Sequence, residues 1–275
     1  MIKKEKLSVE NQKRRKKMVS QGAIASMIIS GVIAFLLPIG LMIWFRRKYH
    51  APIKVFFIGA LTFFVFAQLL EGGVHVYVLQ MNETTKEVMK HPVWYAIYGC
   101  LMAGIFEECG RYIMMRFLMK RRLSWADGLA FGAGHGGLEA ILITGLSSIT
   151  LIVYAFAINS GTFEQLLMNH DVKQALMPIQ AQLLNTPSYE WLLGGIERIS
   201  ALSVQIGLSL LVLYAVKSRR PLFLLYSILL HGLFNVPAVL YQKGVIEHAA
   251  AVELIVAGIA AASVVWIVKA KRLFQ

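Results

Sequence analysis

Long unbroken apolar blocks alternate with short polar or basic stretches along most of this chain. Seven blocks are each long enough to cross a hydrocarbon core, which takes about 20 helical residues: 22–45, 53–79, 93–118, 127–158, 194–216, 221–242 and 246–268. Spanning strands would give weak alternating segments of about 10 residues, so these runs predict helices, not a barrel. The pattern predicts an all-α, polytopic bundle of about seven transmembrane helices. It divides the chain into a basic N-terminal tail, 1–18, and one integral membrane domain, 19–275. Between blocks four and five, the stretch 159–193 is the one long non-membrane segment. Its middle, Phe163 to Leu184, has the character of an amphipathic surface helix, and Asn185 to Ser188, with Pro187, turns the chain into the fifth span.

Composition agrees with the pattern. Of 275 residues, 57% are hydrophobic and 16% charged, with mean hydropathy +0.61, against roughly 25% charged in a soluble domain. The net charge of +13 would suggest nucleic acid in a soluble protein. Here the basic residues gather at span ends, where they set topology and meet lipid headgroups, so no nucleic-acid partner is expected. Cys100 and Cys109 share one helix nine residues apart, too far to bond each other. The first span is too long for a cleaved signal peptide and is expected to be retained.

Basic clusters follow spans one, three, five and seven: Arg46–Lys48 with Lys54, Lys120–Arg122, Lys217 with Arg219 and Arg220, and Lys269 with Lys271 and Arg272. The alternate loops 80–92, 159–193 and 243–245 hold two, one and one Lys or Arg. By the positive-inside rule the C-terminus is cytoplasmic, and the N-terminus and the 159–193 loop are extracytoplasmic. The tail 1–17, with eight basic residues, opposes this assignment and is outvoted by four loops.

Ionisable residues inside the spans carry the chemistry, because each costs about 2.5–3.5 kcal/mol at a helix centre and normally faces a partner within the bundle. They are Glu71 and His75 in span two, Glu107, Glu108 and Arg111 in span three, His135 and Glu139 in span four, Glu197 and Arg198 in span five, and His231 with Asn235 in span six. Glu107 stands 13 residues from Lys120, His135 13 from Arg122 and His231 11 from Arg220. At 1.5 Å per residue all three lie roughly 16–20 Å from the basic flanks. One carboxylate and two imidazoles at one level suit a catalytic divalent metal such as zinc, with a position left for water. The same residues also suit a metal-free site, in which glutamate activates water while a histidine and an amide steady the oxyanion. Glu139, Glu71, His75 and Glu197 lie nearer the outer ends and read as a supporting layer that orients ligands or as ligands themselves. The glycines at 132, 134, 136 and 137 read as close helix packing; no strand precedes them, so no phosphate loop is implied.

Glu107-Glu108-x-x-Arg111 resembles the paired-glutamate motif of the CAAX-protease and bacteriocin-processing superfamily. Phe131-x-x-x-His135 resembles its second motif and His231-x-x-x-Asn235 its third, in the same order. FGAGHGGLEAI in span four and GGIERISAL in span five are similar, more closely still, to the YhfC-type intramembrane metalloproteases, with the PrsW-type proteases as a related group. The likeness covers about residues 20 to 270. It implies a membrane-embedded peptidase in which Glu107 or Glu108 activates water and Arg111 fixes the pair. By the same likeness, His135 assists or binds metal, and His231 and Asn235 hold metal or stabilise the oxyanion. The superfamily's first motif often leaves three residues between the second Glu and the Arg; here two intervene, EECGR, closer to the PrsW pattern. The expected partners are membrane lipid and a membrane-embedded or membrane-proximal peptide, and the expected location is a bacterial plasma membrane. Two other classes stay open: an ion- or proton-coupled transporter using Glu and His as a relay, and a non-catalytic scaffold or immunity protein of the same fold.

Overall fold

A computed structural model of the protein describes residues 18–168 and 170–275, so the basic segment 1–17 lies outside the described residues. In chain order the helices are α1 (Gln21–Tyr49), α2 (Ile53–Met81), α3 (Glu83–Val88), α4 (Pro92–Leu118) and α5 (Trp125–Ser160). There follow α6 (Phe163–Leu166), α7 (His170–Asn185), α8 (Ser188–Ser218), α9 (Leu222–Gln242) and α10 (Ala249–Ala270). No strand occurs among the described residues. The architecture is the expected all-α polytopic bundle.

Six helices, α1, α2, α5, α8, α9 and α10, are long and apolar enough to cross a membrane. The third expected span, α4, has 27 residues, but its charged side chains Glu107, Glu108 and Arg111 lower its apolar character. The fifth span starts six residues earlier than its apolar pattern suggested, at Ser188 directly after Pro187. Proline fixes φ without needing a helical N–H, so it ends the preceding turn and opens the next helix.

Most of α8 is buried, and α1, α4, α5, α9 and α10 pack around it. The other spans leave side chains such as Leu36, Phe57, Val153 and Leu254 exposed, an apolar surface that only lipid would solvate without penalty. Helix α2 crosses α5 through reciprocal glycines. A Cβ on Gly134 would stand 1.8 Å from the Phe56 carbonyl oxygen, and one on Gly59 would stand 2.0 Å from that of Phe131. The glycine run is thus a packing device, as its composition suggested, and it brings α2 against the segment that carries His135.

Opposite ends of the bundle are tied separately. At one end Trp125 Nε1 donates to the Ile267 carbonyl (2.8 Å), the Trp125 and Tyr49 rings meet at 4.9 Å, and Lys217 Nζ donates to Leu273 O (3.3 Å). Ser124 caps α5 there in a reciprocal box with Asp127. All four basic loops share this end. At the other end Val19 N–H donates to Asn159 Oδ1 (2.8 Å), and Ser30 Oγ donates to Trp191 O (2.6 Å). The expected surface helix is split into α6 and α7, and Leu176 and Leu183 of α7 pack with Ala23, Met27 and Ile158.

Three stretches have the wide π-helical turn: Phe63–Glu71, Tyr77–Met81 and Ile141–Gly145. Each adds backbone without a proline or other mark in the sequence, and such turns often occur at functional sites. Two of them, in α2 and α5, flank the cavity described next.

Candidate functional site

Glu107 lies at the centre of a buried polar cluster built from α4, α5, α8 and α9. Three donors meet one of its oxygens, Oε2: His135 Nε2 at 2.8 Å, Arg111 Nη2 at 3.2 Å and Gln205 Nε2 at 3.4 Å. The other oxygen, Oε1, faces His231 Nε2 across 3.9 Å, beyond hydrogen-bond reach. Glu107 and Arg111 are one helical turn apart on α4, and so share a face.

Glu108 points elsewhere, because neighbours on a helix diverge by about 100°. Its side chain is 0% exposed, against 9% for Glu107. It pairs with Arg111 Nη1 (3.0 Å) and His231 Nδ1 (2.7 Å), and accepts from Ser227 Oγ (2.5 Å). Holding Nδ1 of His231 fixes that ring with Nε2 turned toward Glu107, the arrangement by which carboxylates orient reactive or ligating histidines. Arg111, fully buried, also donates to Gln205 Oε1. His135 is fully buried between Phe63, edge-on at 5.3 Å, and Phe131, stacked at 6.3 Å.

A cavity of 330 Å³ opens beside the cluster, lined by Glu107, His231, Asn235, Glu139, Glu71 and His75 among others. Glu139 accepts from Gln205 Nε2, and Arg198 Nη1 donates to it at 3.3 Å. The remaining expected residues divide. Glu71 and His75 stand on the cavity wall but bond each other (3.2 Å), with His75 Nδ1 also 2.8 Å from Tyr98 OH. Glu197 pairs with Arg198 and lines a separate cavity of 420 Å³ with Glu190 and Glu253.

Gln205, Ser227 and Tyr98 escaped the sequence reading, which weighed ionisable groups. Ser227 stands four residues before His231, a spacing that places both on one helical face. Gln205 is an amide inside an apolar run, where any polar side chain needs a partner. Both signals were available.

The donor set suits a divalent metal. The two imidazole Nε2 atoms approach opposite oxygens of the Glu107 carboxylate. His135 Nδ1 is buried with no hydrogen-bond partner, so this ring has a nitrogen not committed to the protein. Glu107, Glu108, Glu139 and Glu197 also outnumber Arg111 and Arg198 in the linked network, and a cation would offset the surplus. As placed, these side chains keep hydrogen-bond spacing, and no three His, Cys, Asp or Glu among the described residues stand in ligand geometry.

Comparison with known proteins gives the family. The model of the YhfC intramembrane metalloprotease family matches residues 33–256, which include every residue of the cluster. The chain is 83% identical over 258 residues to the uncharacterized membrane protein YhfC of Bacillus subtilis (strain 168), covering 94% of this chain and 100% of that one. No solved structure matches. A match across that much of the bundle, together with near identity to a full-length relative, shows that this integral membrane protein belongs to the YhfC intramembrane metalloprotease family.

Proposed function

We propose that the protein is an intramembrane peptidase that hydrolyses a membrane-embedded or membrane-proximal peptide, with Glu107 as the general base. One observation carries this reading: three donors hold Glu107 Oε2 while Oε1 faces the cavity and His231. A carboxylate fixed at one oxygen and open at the other is positioned to take a proton from water, a role worth about 10²–10⁴ in rate.

Water in the cavity gives a proton to Glu107 Oε1 as its oxygen adds to the scissile carbonyl carbon. The carbonyl oxygen gains the negative charge and faces the Nε2–H of His231 in its doubly protonated form and the Asn235 amide, one helical turn apart on α9. Glu107 then passes the proton to the amide nitrogen as the C–N bond breaks, leaving a carboxyl and an amine product. Arg111, Gln205 and His135 keep the carboxylate oriented, and Glu108 with Ser227 orients His231. When a divalent metal is bound, zinc by its preference for this donor set, His135, His231 and Glu107 would hold it in place of those donor and base roles, and it would supply Lewis acidity and a more acidic water. Glu139 and Arg198 support the network through Gln205.

The four basic loops at one end support a reading in which that end faces the cytoplasm of a bacterial plasma membrane, with the C-terminus inside and residue 19 outside. The reading is tested with protein purified into lipid vesicles and a fluorogenic peptide containing one apolar helix. Cleavage by the wild type and its loss in Glu107→Gln and His231→Ala are expected. Equal cleavage by all three would sink this mechanism, and no cleavage by the wild type would favour a scaffold role.

A further inference from the structure

The catalytic cavity has a direction. Its wall on α2 climbs from Phe63, in ring contact with His135, through Gln68 and Glu71 to His75. On α5 it runs outward to Ile143 and on α9 to Asn235, in each case away from the basic end. In the opposite direction, Met115, Leu129, Phe131, Leu210 and Leu213, each at most 1% exposed, close the bundle with apolar side chains. Along this wall Gln68 is exposed, Glu71 is buried and the His75 side chain is 35% exposed. Glu71 and His75 belong to a hydrogen-bonded chain that ends on Tyr98 OH. Polar groups that continue outward along one wall describe a wet path; a sealed apolar floor excludes water from the other side.

Glu107 stands 11 residues from the basic end of α4 at Leu118 and 15 from the other end at Pro92, about 17 and 23 Å, so the reacting carboxylate is near the middle of the membrane and must be reached through the bundle.

We propose that water reaches the site from the extracytoplasmic side, past Glu71 and His75, and that the substrate enters by the same route. The route for substrate rests on the peptidase reading; the route for water does not.

Access is tested by cysteine labelling in a Cys100→Ala, Cys109→Ala background, with Gln68→Cys, His75→Cys and, as an inner-end control, Arg121→Cys. The probe is a membrane-impermeant cationic methanethiosulfonate. Positions 68 and 75 are expected to react at least about tenfold faster in intact cells than in inverted vesicles, and position 121 the reverse. Two cavity positions are used so that one variant failing size-exclusion analysis does not decide the outcome. Reaction at 68 and 75 from the inverted side only, or from neither side while 121 reacts, overturns the port. For the substrate route, cleavage of the fluorogenic helical peptide in vesicles is expected to fall when His75→Cys carries the reagent, and unchanged cleavage overturns that route. If labelling is as expected but the unlabelled protein cuts nothing, the substrate route fails with the peptidase reading while the port for water stands.

Discussion

Glu107 and Glu108 are adjacent in sequence, yet their amide variants should fail in different ways. Glu108→Gln replaces a fully buried carboxylate that serves Arg111 (3.0 Å), His231 (2.7 Å) and Ser227 (2.5 Å). A carboxylate offers about four acceptor sites and an amide oxygen two, with two donors added, so at least one of those partners is left unmet. Removing one member of a buried ion pair costs about 3–5 kcal/mol; because Arg111 keeps Glu107, we expect the lower end, about 3 kcal/mol. At about 2–4 °C per kcal/mol for a chain somewhat smaller than this one, the thermal midpoint should fall by about 6–12 °C. In Glu107→Gln the amide oxygen keeps the two nearer donors, His135 and Arg111, and gives up only the longest contact, from Gln205 at 3.4 Å, while the altered side faces the cavity. That variant should lose about 1 kcal/mol but about 10²–10⁴ in cleavage rate. Thermal unfolding in detergent and cleavage in vesicles, run on the same preparations, separate the two effects. A Glu108→Gln protein that melts with the wild type, or a Glu107→Gln protein less stable than Glu108→Gln, would refute the division of roles.

Gly134→Ala should destabilise by at least about 1–3 kcal/mol, since its Cβ would meet the Phe56 backbone oxygen at 1.8 Å; fluorescence size-exclusion melting measures it, and an unshifted melt would mean the helices can separate freely. Treatment with 1,10-phenanthroline should abolish cleavage and zinc should restore it, with elemental analysis showing near-stoichiometric metal in the wild type and loss in His231→Ala. Cysteines placed at Lys48, Arg121 and Arg220 should resist impermeant reagents in intact cells; ready labelling at two of them would invert the bundle.

The hydrophobic pattern alone determined the class of this protein, because a lipid-spanning segment must satisfy every backbone group internally and so must be helical. Span positions were legible for the same reason, as were the polar candidates: an ionisable group in an apolar run has few explanations. Even the common depth of Glu107, His135 and His231 could be counted from the basic flanks. Azimuth could not. Which of Glu107 and Glu108 faces the cavity depends on how α4 is rotated against α5 and α9, and neighbours of α4 set that rotation. The glycine contacts of α2 with α5 are likewise a tertiary matter: the sequence marks small residues but not the backbone oxygens they meet. Gln205 was invisible as a partner because it joins Glu107, Arg111 and Glu139 from helix α8, 98 residues beyond Glu107. Most of all, His75 reaches the cavity wall beyond the wide turn of α2, whereas Glu197 on α8 lines another cavity. An added residue per turn re-aims every side chain that follows, and nothing in the local sequence records it.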